Sequence, residues 1–472
     1  LTQSSNQKIH SFTGIKQGKM LTDLTKQNLI DQRTFFNANQ TKDIRFRIMQ
    51  LKKLKAVVLA NEKRICEALH NDLRKSTEEA YLTEIGIVLN EIDYHIKHLK
   101  KWVAKRVSSP LVLFPSSSKI IYEPLGVVLI IAPWNYPFQL LINPLIGVIS
   151  AGCCAVLKPS PDAPSIEKVV IDLINDTFEP NYIQAVSGGI DVNQALLKER
   201  FDFIFFTGSP RVGKIVLQAA AEHLTPVILE LGGKSPCIVD ADSTLSIAAK
   251  RIIWGKFINA GQTCIAPDYI FVHHSVKEEL ISKLIEAISN FFGNNPQESP
   301  FLGRIIHERA FDRLIGHLQQ GNIRHGGITN KTDKYISPTL IDDIAPDCSI
   351  MQEEIFGPLL PIMTFDSIQE PIDYIKKNEK PLALYFFGKQ NTDKVLSETS
   401  SGGVCINDTL MHVVNHNLPF GGVGNSGIGK YHGKESFLVF SNAKGVVKTS
   451  TWIDLPLKYV PYNYFKWIKK LM

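Results

Sequence analysis

Five short runs of the chain are apolar at every position instead of at alternate ones: Val127–Ala132, Cys154–Leu157, Phe203–Phe206, Val227–Leu229 and Cys237–Val239. A strand with one wet face alternates, so unbroken runs of this kind require cover on both faces, as in a parallel sheet. Helix-like segments such as Ser165–Phe178 and Val212–Glu222 separate them. That alternation predicts a doubly wound α/β sheet, with a second α/β block from about Ser246 to Leu410. Upstream, residues 22–102 read as helical: Leu51, Leu54, Val58 and Ile65 recur at helical spacing, with Lys and Glu opposite. A β-prone stretch follows from Leu111 to Tyr122, punctuated by Pro110 and Pro115.

The chain of 472 residues is long enough for two or three domains, each with its own core. Its net charge of +6 is small and its basic residues are scattered, unlike the clustered basic face of a nucleic-acid binder. Seven cysteines show no CxxC pairing and no Cys/His ligand spacing, which argues for a reducing compartment and against a disulfide framework or a metal site. Residues 1–19 are polar, without an apolar core or cleavage signature, and read as a disordered extension. The most apolar stretch, Leu125 to Ile149, is interrupted by Pro133, Asn135, Pro137, Asn143 and Pro144. Those residues would put helix breaks and polar groups inside lipid, so the stretch reads as buried core of a soluble, cytoplasmic protein.

Two segments imitate a phosphate loop, one from Gly208 to Lys214 and one from Gly424 to Lys430. Each is followed by a residue that cannot serve as the magnesium-binding hydroxyl, Ile215 and Tyr431 respectively, so an NTPase is not indicated. The first segment follows an apolar strand and opens a helix, where backbone N–H groups and the helix dipole favour a pyrophosphate. Its G-x-x-x-x-G spacing departs from the usual dinucleotide fingerprint and by itself fits a cofactor cradle and a plain strand–helix turn alike. The second, within Gly421–Gly433, reads as a structural turn close to an active site.

Two residues are chemically conspicuous. Cys264 lies in Asn259-Ala-Gly-Gln-Thr-Cys, after a helical segment and a Gly-Gln-Thr turn; Cys66 and Cys348 read as ordinary small hydrophobes. Glu230 ends an apolar strand, where a carboxylate is costly unless paired or functional.

Taken with Pro133-Trp-Asn-Tyr-Pro-Phe138, Lys158-Pro-Ser, Phe206-Thr-Gly-Ser, Glu353-Glu-Ile-Phe-Gly-Pro358 and Leu418-Pro-Phe-Gly-Gly422, these motifs identify the chain as similar to the aldehyde dehydrogenase superfamily. The resemblance spans about residues 22 to 450. Ala-Pro-Asp-Tyr after the cysteine and Gly-Asn-Ser-Gly-Ile-Gly-Lys-Tyr-His-Gly near the end resemble the class 3, fatty and aromatic, branch. The resemblance implies a Rossmann-type cofactor domain (22–103 and 124–230), an α/β catalytic domain (231–430) and a small β oligomerisation ribbon (104–123 and 431–450). These are flanked by an N-terminal extension (1–21) and a C-terminal tail (451–472). It also implies a homodimer.

The same resemblance implies roles. Cys264 is expected to attack the aldehyde carbon as a thiolate. Asn135, with the Cys264 backbone N–H, would donate to the developing oxyanion, a donor worth roughly 3–4 kcal/mol in acyl-transfer sites. Glu230 would activate the water that hydrolyses the thioester, which argues for a hydrolytic and against a CoA-transferring enzyme. Trp134, Lys158, Gly208, Ser209, Gly213, Glu354 and Phe356 are expected at the cofactor, NAD or NADP, and Tyr136 at the substrate. Glu354 is preferred to Glu353 because it directly precedes Ile-Phe-Gly-Pro. NAD-preferring members commonly follow Lys-Pro-Ser with Glu; here Pro161 stands there. The carboxylate that would repel a 2′-phosphate is missing, so NADP is expected to be accepted. Pro210 in the phosphate loop sits at the first turn of a helix, where its missing N–H costs little. The expected substrates are medium- or long-chain aliphatic or aromatic aldehydes. The alternatives are a narrow-specificity semialdehyde dehydrogenase, which needs a cation in its tunnel, and a non-catalytic binding protein. The aromatic tail (Tyr459, Tyr462, Tyr464, Phe465, Trp467) fits a tunnel lining and a subunit contact equally. It contains no run long enough to span a bilayer.

Overall fold

The computed structural model describes residues 26–110, 113–456 and 459–471; the N-terminal extension expected at 1–21 falls outside them. Every apolar run becomes a strand, but the runs divide between two sheets. A six-stranded sheet has the order Gly427–Ile428, Val227–Glu230, Phe203–Thr207, Val127–Ile131, Cys154–Lys158, Ile183–Ala185. Five of its strands run parallel, through four parallel pairings, and Gly427–Ile428 runs antiparallel on Val227–Glu230. The middle strands are buried at every position, as their unbroken apolarity requires.

Cys237–Val239 lies elsewhere. Its strand, Pro236–Val239, is central to a seven-stranded sheet, between Tyr269–His273 and Ala383–Phe387. The chain changes sheets in five residues, Leu231 to Ser235. Periodicity reports that a run is covered on both faces; it does not report which sheet provides its neighbours. Gly427–Ile428, in the stretch read from sequence as catalytic, likewise completes the edge of the first sheet.

The upstream region is helical as expected, at 26–37, Ile44–Ala60, Glu62–Leu73 and, after a short turn, from Thr77 to Trp102. Leu51, Leu54, Val58 and Ile65 are completely buried. The β-prone stretch begins later than expected: the strand is Ser116–Pro124, paired antiparallel with Ala104–Val107 on one side and Ser441–Thr449 on the other. Leu125–Ile149 forms a buried strand and a helix, Gln139–Ala151, buried at every residue. Among the described residues, no helix is long and apolar enough to cross a membrane.

Candidate active site

The carboxyl ends of four adjacent parallel strands converge on one place, the usual binding edge of an open α/β sheet. Trp134 and Asn135 follow Val127–Ile131, and Lys158 ends Cys154–Lys158. Gly208 and Ser209 follow Phe203–Thr207, and Glu230 ends Val227–Glu230. Facing them is the loop that carries Cys264, delivered by the helix Leu245–Phe257 of the other sheet's layer.

Two cavities meet at Cys264. One, of about 230 Å³, is lined by Trp134, Asn135, Gly208, Ser209, Glu230, Glu354 and Phe356, among others. The second, of about 510 Å³, is walled by apolar side chains such as Leu82, Trp254, Phe257, Phe292 and Val413, with Tyr136 and Thr263 near the cysteine. Cys264, Phe420 and Tyr431 belong to both linings. The turn before the cysteine is strained: Asn259 (φ 53°), Ala260 (φ 51°) and Gly261 (φ 76°) are consecutive left-handed residues. Each non-glycine residue in that region costs on the order of 1–3 kcal/mol and persists only where surroundings enforce it. Gln262, fully buried, supplies that enforcement. Its side chain donates to the carbonyls of Asn259 (3.0 Å) and Arg304 (2.9 Å) and accepts from the Ile306 N–H (3.0 Å). Glu79 accepts from the Asn259 N–H at 2.8 Å.

The Asn135 side chain is 3% exposed and donates one amide hydrogen to the Gln262 carbonyl at 3.0 Å. An amide carries two such hydrogens, so one fixes the group against the loop that carries Cys264 and the other is left over among the described residues. The backbone N–H groups of Cys264 and Ile265 favour the Cys264 thiolate. Burial, followed by the nearby Glu354 and Glu230 carboxyls, pushes that thiol well above its usual range. Burial likewise pushes Glu230 far above the ordinary carboxylate range, and Lys430 offsets this only in part. Both Glu230 oxygens are buried without a hydrogen-bond partner among the described residues. A carboxyl so placed is a strong base once ionised, because nothing but its own burial resists the charge.

Glu353 and Glu354 separate clearly. Glu353 pairs on the surface with Arg313 (3.2 Å) and His317 (3.1 Å). Glu354 turns into the cavity, with Oε1 unpartnered and its carboxyl pushed up to about 8, chiefly by burial and then by Asp268. A Cβ at Gly232 would lie 2.0 Å from Glu354 Oε2, so only glycine leaves that carboxyl its room. Phe356 packs edge-on against Trp134, ring centres 5.4 Å apart. Ser209 caps the helix Pro210–Ala221, accepting from the Val212 N–H, and Pro210 occupies its first turn. A Cβ at Gly213 would meet Leu231 Cδ2 at 2.7 Å, which is why that helix sits so close to the strand end.

Two expected residues stand apart from the cavities. Gly213 acts through that packing, and buried Lys158 donates to its own neighbour's carbonyl, Pro159, at 2.6 Å. Its ammonium is 4.0 Å from Glu167. Two buried residues absent from the sequence reading, Lys75 and Glu84, touch the Asn135 segment directly. Gly421–Gly433, expected to be a structural turn, also holds a short 3-10 helix, Gly424–Ser426, and the edge strand Gly427–Ile428; Lys430 donates to the Gly421 carbonyl, and Tyr431 lines both cavities. Among the described residues, no tail residue lines either cavity, and no cluster suited to a metal ion occurs.

A model of the aldehyde dehydrogenase family matches residues 32–446. A 4,4'-diaponeurosporen-aldehyde dehydrogenase of Staphylococcus aureus is 51% identical over 95% of this chain and 99% of its own length. A dimeric NADP-preferring aldehyde dehydrogenase of Canis lupus familiaris is 44% identical over 90% of this chain and 95% of its own. A solved structure of Staphylococcus aureus AldH in a substrate-bound state superposes with a TM-score of 0.93 at 50% identity, covering 94% of this chain and 98% of the other.

Proposed function

The chain belongs to the aldehyde dehydrogenase family, in its class 3 branch, and from that premise we propose that Cys264, Asn135 and Glu230 carry out its NAD(P)-dependent oxidation of long apolar or aromatic aldehydes. One observation carries the reading: Cys264 lies on the shared lining of two cavities, one holding Glu230 and Glu354 and the other walled by long apolar and aromatic side chains.

The chemistry follows from the placement. Cys264, as thiolate, adds to the aldehyde carbon, and the free Asn135 hydrogen with the Cys264 backbone N–H meets the oxyanion of the thiohemiacetal. The dinucleotide, when bound, accepts the hydride. The cavity that holds Glu354 fits such a group: Glu354 offers a buried acceptor without a partner among the described residues for ribose hydroxyls, and Gly208 and Ser209 lie at a helix N-terminus suited to phosphate. Trp134 and Phe356 supply flat apolar walls beside Glu354. The thioester left on Cys264 faces Glu230, which takes a proton from water as the water adds to the acyl carbon. Carboxylic acid leaves and the thiol is restored. Lys158, at the end of the next strand, is assigned to the adenosine ribose.

The 510 Å³ cavity supports a long or bulky apolar tail. Among the described residues its lining contains no Lys, Arg or His, while Glu78 and Glu79 belong to it. A semialdehyde's distal carboxylate finds no partner there, which disfavours that alternative. With an aldehyde series, kcat/KM is expected to rise as chain length grows from short to long, roughly 10-fold for every two buried methylenes until the cavity is filled. A flat or falling series, or a preference for a semialdehyde, would reject this substrate class.

Pro161 is exposed and uncharged at the end of Lys158-Pro-Ser. NADP is therefore expected to serve as well as NAD, within about 10-fold in kcat/KM, because no carboxylate stands there to repel a 2′-phosphate. Parallel kinetics with the two cofactors check it; a preference for NAD of about a hundredfold or more counts against it. We further assign a homodimer in the cytoplasm. All seven cysteines are free thiols, as suits a reducing compartment. Among the described residues the strand Ser441–Thr449 pairs on one side only, leaving an edge for a second subunit.

A further inference from the structure

Lys75 and Glu84 form an ion pair at 2.5 Å with both side chains fully buried. Taking two charges out of water is expensive, and an apolar pair of similar volume often serves stability as well. What distinguishes this pair is where its remaining hydrogen bonds go. Lys75 Nζ donates to the backbone carbonyl of Asn135 at 3.1 Å and lies 4.0 Å from the centre of the Tyr136 ring. The second Glu84 oxygen accepts the backbone N–H groups of Phe138 (2.9 Å) and Gln139 (3.1 Å). Those are the first donors of the helix Gln139–Ala151, which has no side-chain cap of its own. The cation thus holds one end of the five-residue turn and the anion the other. Asn259 Nδ2 adds a second donor to the Asn135 carbonyl at 2.8 Å, from the strained turn that leads to Cys264.

We propose that Lys75 and Glu84 are positioning residues for the oxyanion donor: they lock the Asn135–Gln139 turn so that the Asn135 amide points at Cys264. The inference rests on Asn135 being that donor, as assigned above. Neither residue touches the aldehyde in this arrangement. Each acts by removing freedom from a group whose displacement by about 1 Å would cost on the order of 100-fold in rate.

A double-mutant cycle on the rate of hydride transfer, read as the pre-steady-state appearance of reduced cofactor, tests this directly. Lys75→Met and Glu84→Gln are each expected to slow that step at least about 10-fold while KM for the aldehyde stays within about twofold. In an Asn135→Ala background, Lys75→Met is expected to add little, because the donor it positions is gone. Effects that multiply, or that appear in KM, overturn the proposal. Lys75→Met leaves Glu84 unpaired and Glu84→Gln leaves Lys75 unpaired, and either can risk the fold; the uncharged double variant Lys75→Met/Glu84→Gln then decides, since it buries no lone charge and its glutamine carbonyl still accepts the Phe138 and Gln139 N–H groups. Thermal melting of every variant shows whether lost rate tracks lost folded protein, which also counts against a positioning role. If Asn135→Ala alone leaves hydride transfer unchanged, the donor assignment fails, and this inference with it. If Asn135→Ala is slow and the Lys75 effect multiplies with it, only the positioning role is lost.

Discussion

Replacing Cys264 with alanine is expected to lower aldehyde oxidation by at least about 10³-fold while leaving dinucleotide binding intact. The chemical reason is that every covalent species of the proposed cycle is formed on its sulfur. The structural reason is that the residue lines the junction of the two cavities without forming either. Dinucleotide affinity, measured by fluorescence or calorimetric titration, is expected to change less than about threefold, because the phosphate loop and Glu354 are untouched. Cys264→Ser keeps an oxygen nucleophile of much higher pKa and should fall nearly as far. Full NAD(P)-dependent activity in the serine variant would overturn the mechanism. Because burial and the neighbouring Glu354 and Glu230 carboxyls push the thiol up, alkylation of the wild-type cysteine in the absence of cofactor should accelerate as pH rises.

Glu230→Gln is expected to separate the two halves of the reaction. Thioester formation does not need the carboxylate, so a burst of about one reduced cofactor per active site should appear. Turnover after the burst should be slower by about 10²–10⁴-fold, the usual contribution of a general base. Rapid-mixing absorbance measures both phases; an unslowed second phase would remove Glu230 from the base role. The pH dependence has a definite sign. Burial raises the carboxyl's folded pKa, so the base form gains population as pH rises through that raised value, and wild-type deacylation should speed up accordingly. The same shift acts on stability. Below the ordinary carboxylate range the group is protonated in folded and unfolded chains alike. As pH rises from there to the folded pKa, the unfolded chain ionises first, and the stability contributed by the protonated group is progressively lost. Glutamine cannot ionise, so the melting temperature of Glu230→Gln should fall less than that of the wild type over that interval.

The sequence by itself determined which segments are buried and which chemistry the site offers. Unbroken apolar runs such as Val127–Ala132 and Phe203–Phe206 are strands because no other element covers so short a segment on both faces. Cys264 and Glu230 stand out because a cysteine follows a tight Gly-Gln-Thr turn and a carboxylate ends an apolar strand, whereas Asn135 and Glu354 are named only through the resemblance to the aldehyde dehydrogenase superfamily. The tertiary structure decided what depends on distant neighbours. Cys237–Val239 looks like the other runs, yet it joins the second sheet, because pairing is set by partners such as Tyr269–His273 and Ala383–Phe387. The apolar cavity draws its wall from segments around residues 82, 136, 257, 292 and 413, whose meeting no local pattern records. Lys75 and Glu84 are the sharpest case. A lysine just after a helix end and a glutamate on a helical stretch read as solvated charges, the usual state of such residues. Only folding places them against each other, out of water, on the backbone of Asn135. Periodicity measures burial one residue at a time; this pair, nine residues apart in the chain, is met by the Asn135 segment 60 residues on, and no local pattern records that meeting.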